Sequence, residues 1–395
     1  MRKGWPKKKV SEIARHSLGK MLDKTKNKGE PRPYLRNLNV RWFVFDLSDL
    51  LEMRFLPEEG DKYTVKKGDL VICEGGYPGR AAIWDQDEPV YFQKALHRVR
   101  FREPEHAKWC LYYLHAQDLE GTLKKHFNGA GIQHFTGEAL ARFEIPLPPL
   151  PEQQRIIGIL DEVFDGIATA KANAEKNLQN VRALFESHLQ SVFTQRGEEW
   201  VEGKLGDLCS IARGGSPRPI QKFLTTDPDG INWIKIGDAT ASGKYIYKTE
   251  DRIIPDGAKR SRMVNDGDFL LSNSMSFGRP YIMRTSGCVH DGWLVLSDYD
   301  SRLDQDYLYY VLGSGFIFQQ FDRLAAGSTV RNLNIELASS VEIPIPPLTH
   351  QREIARQFEA LSTETQRLAT LYERKLASLE ALKKSLLHQA FSGQL

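Results

Sequence analysis

Cysteine is scarce in this chain: four residues in 395, Cys73, Cys110, Cys209 and Cys288, with no CxxC pair among them. That excludes a disulfide framework and a cysteine-based zinc site, and predicts buried thiols in a reducing cytoplasm. No apolar run approaches the roughly 20 residues of a membrane span. The opening MRKGWPKKKV is basic but lacks the apolar stretch of a signal peptide. The three Gly-Lys pairs continue with Met21, Leu205 and Tyr245, where a phosphate-cradling loop needs Ser or Thr. Both Pro-Pro pairs run into leucine, Leu150 and Leu348, with no Asn or Asp at hand, so the turn an amino-methyltransferase uses is missing. Ten histidines show neither HxxxH nor HxH spacing. Asp266 and Asp268 sit in a glycine turn that recurs at Asp69, and read as turn-formers, not metal ligands. The expectation is a chain with no catalysis and no cofactor of its own.

What is present is an ordinary globular composition, 41% hydrophobic and 27% charged, long enough for two or three domains. The net charge of +3 hides a basic start. Residues 1–36 hold twelve Lys/Arg against three acids, enough to attract a polyanion.

The organising stretch is Glu144–Leu150, EIPLPPL, which returns as Glu342–Leu348, EIPIPPL, 198 residues later. Other landmarks keep nearly the same offset. KGDLVI at 67–72 pairs with DGDFLL at 266–271, Gly79-Arg80 with Gly278-Arg279, and GAGIQHF at 129–135 with GSTVRNL at 327–333. The chain is therefore a tandem duplication of a mixed domain followed by a helix. The Pro-rich exit at 146–151 reads as an extended connector. After each exit, apolar residues step by four and three. They are Ile156, Leu160, Val163, Ile167, Ala170, Ala174, Val181, Leu184 and near His188, then Ile354, Phe358, Leu361, Thr365, Leu368, Tyr372, Leu379, Leu382 and Leu386. This is a coiled-coil seam. Two equal rods can cover each other's stripe, and antiparallel pairing, with an internal two-fold axis, is favoured. The polar seam pair Asn177 and Lys375 either sets register or marks a local drift onto Leu178 and Leu376.

The exits EIPLPPLPEQQRI and EIPIPPLTHQREI, the terminal LLHQAFSGQL, and the W…GKLGDL…GG, WIKIGD and GDFLL stretches resemble the specificity subunit of type I restriction–modification systems over essentially the whole chain. The resemblance implies an α+β architecture with two α/β target-recognition domains, 1–150 and 197–348. Two conserved spacer helices, 151–196 and 349–395, would pair as an antiparallel coiled coil with pseudo-two-fold symmetry. It implies that each domain reads one half of a bipartite DNA target, that the helices set the spacer, and that they dock two methylation subunits. S-adenosylmethionine, and ATP with Mg for restriction, belong to the methylation and restriction subunits. The alternative is a duplicated coiled-coil scaffold whose heads bind protein, without DNA readout.

Candidate DNA contacts follow from residue type and place. Arg36, Lys66, Lys67 and Lys235 suit phosphates. Arg80 and Arg279 recur after glycine, which favours a structural or phosphate role over base reading. Gln133 and Arg331, with His134 and Asn332 beside them, occupy matching places and differ in type, as reading positions should. Tyr77 and Phe277 are candidates for stacking. Glu152, Gln153, Gln154, Gln351 and Arg352, at the starts of the rods, are candidates for docking the methylation subunits.

Overall fold

Two four-residue runs, Leu70–Cys73 and Phe269–Ser272, are buried along their whole length, each between two antiparallel neighbours in its sheet. Each follows a tight turn. The Asp69 carboxylate accepts the Lys66 amide at 2.8 Å, and Asp268 accepts the Asn265 amide at 2.8 Å. Gly68 (φ 88°) and Gly267 (φ 90°) supply the left-handed residue these turns require. The aspartates are thus the turn-formers expected from the sequence, and Asp69 also holds Arg100 through two bonds of 2.6 and 2.7 Å. In this computed structural model the residues described are 5–23, 25–273, 278–325 and 333–395.

The chain divides into two compact units, residues 1–175 with 374–395, and residues 176–373. In the first, one sheet has the order Ala14–Leu18, Leu96–Phe101, Leu70–Cys73, Ala81–Ile83. A second has Leu51–Phe55, Glu30–Leu35, Val90–Phe92, Thr64–Val65, with a parallel pairing between Glu30–Leu35 and Val90–Phe92. Lys7–Lys9 pairs antiparallel with the connector strand Glu144–Pro146. The second unit repeats this plan. Ser210–Arg213, Trp293–Ser297, Phe269–Ser272, Pro280–Met283 and Tyr245–Ile246 form one sheet. Ile231–Ile234 pairs parallel with Gly287–Val289 in the other, and Val201–Lys204 pairs with Glu342–Ile345.

Both rods are single helices, Leu150–Thr194 and Leu348–Ser392. The first begins one residue before Pro151, inside the stretch expected to stay extended. Proline is tolerated there because a first-turn N–H has no helical partner to lose. The rods run antiparallel within each unit. In the first unit Lys171 pairs with Glu380 at 2.7 Å, and Arg155 donates to the Leu395 carbonyl. In the second, Arg182 reaches Glu373, and Phe185 and Phe193 pack on Phe358.

The seam departs from strict four-three stepping towards the rods' ends. Leu184 and Leu382, 198 apart, are 57% and 46% exposed, and His188 is exposed too. Phe185 and Leu189 turn inward in the first rod, Leu386 and Leu387 in the second. A helix of 3.6 residues per turn drifts against a 3.5 repeat, and here the stripe slips by one. Asn177 and Lys375 are likewise exposed, with the half-buried Leu178 and Leu376 beside them, so the local drift is the reading that holds.

Candidate DNA-recognition site

In each unit, four backbone segments meet at one junction and are tied by matching hydrogen bonds. In the first, Glu74 N–H donates to Ala95 O, Phe135 N–H to Glu74 O, Gly19 N–H to Leu96 O, and Lys20 N–H to Phe92 O, at 2.7–3.2 Å. In the second, Asn273 donates to Gly292, Leu333 to Asn273, Gly214 to Trp293, and Gly215 to Val289, at 2.8–3.1 Å. The following turn matches as well, with Gly79 N–H on Cys73 O and Gly278 N–H on Ser272 O. Every buried amide and carbonyl needs a partner whatever its side chain. The backbone pattern therefore survives while the side chains change: Glu74 answers to Asn273, Gln93 to His290, Lys94 to Asp291.

At the second junction Asp291 is a hub. Its carboxylate accepts Ser216 Oγ at 2.6 Å and Arg218 Nη2 at 3.1 Å. Its carbonyl accepts Asn273 Nδ2 at 2.9 Å and Arg213 Nε at 3.2 Å. The Ser216 hydrogen bond first, with Arg218 alongside, holds the Asp291 carboxyl below its ordinary value. Asp291 itself did not stand out in the sequence, because its offset from Lys94 is 197 and not the 198–199 of the louder landmarks.

The candidates from the sequence are placed differently. Four presumed phosphate cations have acidic neighbours: Arg36 with Asp49 at 2.7 Å, Lys66 with Asp61 at 3.1 Å, Lys67 with Asp87 at 2.7 Å, and Lys235 with Asp251 at 2.9 Å and Glu250 at 3.3 Å. Arg80 donates to the Asn37 carbonyl at 2.8 Å and lies over the exposed Tyr77 ring, an arrangement in keeping with a structural role. Arg279 is exposed, and its amide donates to Ser272 Oγ. Gln133 and His134 are exposed on the loop that returns to the first junction. Phe277, Arg331 and Asn332 lie outside the described residues.

Comparison with known proteins agrees with this duplicated plan. The type I restriction modification DNA specificity domain matches twice, over residues 2–179 and 197–374. The chain belongs to that family. It is 23% identical to the type I restriction enzyme MjaVIII specificity subunit of Methanocaldococcus jannaschii, over 72% of this chain and 70% of that one. It is 22% identical to the EcoBI specificity subunit of Escherichia coli, over 84% and 75%. Two solved chains share the fold. One, from work on complex assembly and conformational transition of the type I R-M system, has a TM-score of 0.80 at 20% identity, covering 99% of this chain and 98% of that one. The other, the HsdS subunit from Thermoanaerobacter tengcongensis, has a TM-score of 0.62 at 21% identity, covering 100% and 98%.

In this specificity-family chain the starts of the rods are built as anchors. Gln153 and Gln351, proposed from the sequence as docking residues, are fully buried. Gln153 Nε2 donates to Pro148 O at 2.7 Å, and its Oε1 lies 3.1 Å from His106 Nδ1. Gln351 Nε2 donates to Pro346 O and Arg302 O, while its Oε1 accepts the Asp304 amide. Both glutamines fasten a Pro-rich turn and a recognition domain to a rod, leaving no polar atom over for a partner. Trp109 Nε1 on Pro146 O and Tyr307 Oη on Pro344 O, each 2.7 Å, repeat the theme. So do Tyr112 Oη on Asp161 and Tyr310 Oη on Glu359. Gln154 and Arg352 are exposed, and Glu152 is half-buried beside Arg155. No helix among the described residues is long and apolar enough to cross a membrane.

Proposed function

We propose that this chain is the DNA sequence-specificity subunit of a type I restriction–modification complex, acting from the cytoplasm. Each recognition domain reads one half of a bipartite target in double-stranded DNA. The antiparallel rods fix the separation of the two readings and carry two methylation subunits, with restriction subunits joining the full complex. S-adenosylmethionine, ATP and Mg are held by those subunits, and the chain performs no catalysis itself.

The observation that carries this reading is the double family match laid over a junction whose backbone bonds repeat and whose side chains do not. One framework built twice with different side chains is what two unlike half-sites demand, since bases are read by side chains at groove edges. A protein-binding scaffold would have no such need for unlike heads. For the docking role, Gln154 and the outer faces of the rods remain available, whereas Gln153 and Gln351 are engaged internally and Arg352 lies 3.6 Å from the Asp304 carboxylate.

The test is methylation mapping of host DNA with and without the chain, its methylation partner present. A bipartite adenine-methylated motif that disappears with the chain is expected. Unchanged methylation, with the partner shown to be active, would contradict the assignment.

A further inference from the structure

The two junctions share a backbone but differ in what their side chains are doing, and that difference locates base-reading groups. At the second junction the Asp291 hub holds Ser216, Arg218, Arg213 and Asn273. At the first, Lys94 and Glu74, in the places of Asp291 and Asn273, border a cleft of about 500 Å³ that Leu22, Gly75, Gln93, Ala95 and His134 also line. Among the described residues, no hydrogen bond or ion pair engages the side chains of Glu74, Gln93 or Lys94, although the backbones of all three are bonded within the junction. The His134 ring lies over Gly75 so closely that a Cβ there would stand 3.0 Å from Nδ1. Gly75 thus keeps the floor of the cleft low beneath an imidazole.

We propose that Glu74, Gln93, Lys94 and His134 form the base-reading site of the first recognition domain, with the edges of base pairs in the DNA major groove as ligand. This rests on the DNA-specificity reading above and goes further, naming the residues and the chemistry they select. Polar groups with no internal partner can bond a base without first breaking a bond of the protein. Lys66, Lys67, Arg36 and Lys235 each have an ion pair to give up. The four side chains also differ in kind, as a reading site requires. An ionised Glu74 only accepts, so it selects an exocyclic amino group, cytosine N4 or adenine N6. Lys94 only donates and suits guanine O6 and N7, while Gln93 does both and suits adenine N6 and N7. His134 lies on the returning loop, whose tip carries the exposed Ile132, an apolar group of the kind that suits a thymine methyl. The first half-site therefore contains a cytosine or adenine whose amino group faces Glu74. Because the second junction carries His290 and Asp291 in the places of Gln93 and Lys94, its half-site is different.

The experiment uses the full chain assembled with its methylation subunits, comparing the wild type with Glu74→Gln and Lys94→Ala by methylation mapping on a genome. Thermal melting of each complex confirms folding. Glutamine can donate as well as accept, so Glu74→Gln is expected to lower discrimination at one base pair of one half-site by about ten-fold or more, leaving the other half-site intact. Lys94→Ala is expected to relax a neighbouring position in that same half-site. Unaltered motifs in both variants would overturn the proposal while leaving the specificity assignment standing. So would changes spread over both half-sites, or a uniform loss of methylation by folded complexes. Failure of the wild-type complex to yield any bipartite motif would instead strike the assignment itself.

Discussion

The first and second units are one design in two states of occupancy. At the junction the second unit engages its polar side chains internally, through Asp291 and the arginines around it, whereas in the first no hydrogen bond or ion pair among the described residues engages the side chains of Glu74, Gln93 or Lys94. At the rods the difference runs the same way, in smaller degree. Gln351 makes three hydrogen bonds where Gln153 makes two, one to Pro148 O and one with His106. A duplicated fold keeps what its backbone requires and lets each copy distribute side-chain bonds separately. The two halves should therefore respond differently to matched substitutions.

The largest contrast is expected in the core between rod and domain. Phe358 is fully buried and packs on Phe185, Phe193 and Tyr310, while the matching position in the first rod is the smaller Leu160. Phe358→Ala should destabilise the second unit by about 4 kcal/mol and Leu160→Ala the first by about 3 kcal/mol in denaturant unfolding. Equal, small effects would show that the rods are not integral to the units.

Next come the glutamine anchors. Gln351→Ala removes the partner of three backbone groups, one buried and two part-buried, and should cost about 2–3 kcal/mol, against about 1–2 kcal/mol for Gln153→Ala. The reverse order would contradict the difference in bonding described here.

Acid should separate the halves as well. In the first unit burial pushes the His97 imidazole down to about 4 and His115 down to about 3. His115 sits against Trp42 and Phe43 with neither ring nitrogen bonded. A histidine kept neutral by folding binds its proton only in the unfolded chain. Its contribution is complete above pH 6.5 and declines as the pH falls towards the folded value, by up to roughly 1.4 kcal/mol per pH unit for each group. Hydrogen exchange between pH 7 and 4.5 should show the strands and helix around His97 and His115 losing protection before the core of the second unit. Uniform loss would contradict this.

The smallest effect is expected at Leu184 and Leu382. Both are exposed, so alanine at either should change stability by less than about 0.5 kcal/mol. A cost near that of Leu160→Ala would place them back in the seam.

The duplication, the helical rods, their antiparallel pairing and the aspartate turns were all legible in the sequence, because each leaves a periodic or repeated signal. The KGD and DGD turns, for example, need their glycine and their carboxylate at fixed places. What escaped was set by tertiary position. Nothing in the letters distinguishes a glutamine that caps a Pro-rich turn from one that faces solvent, so Gln153 and Gln351 read as surface residues. The acidic neighbours of Lys66 and Lys67, Asp61 and Asp87, likewise come into place only in the fold. Glu74 was within view, as the first letter of EGGYPGRAAI at 74–83, which differs at most positions from its counterpart NSMSFGRPYI at 273–282. Lys94 carried no signal at all, since its equivalence to Asp291 rests on backbone bonds and not on a motif.

The most direct test of the central claim is to exchange residues 1–150 for the corresponding domain of another member of the family, and to map adenine methylation by the assembled complex. One half of the bipartite motif should change to that of the donor, while the other half and the spacer stay as they were. A change in both halves, or in neither, would contradict the account of two separate readers on one frame.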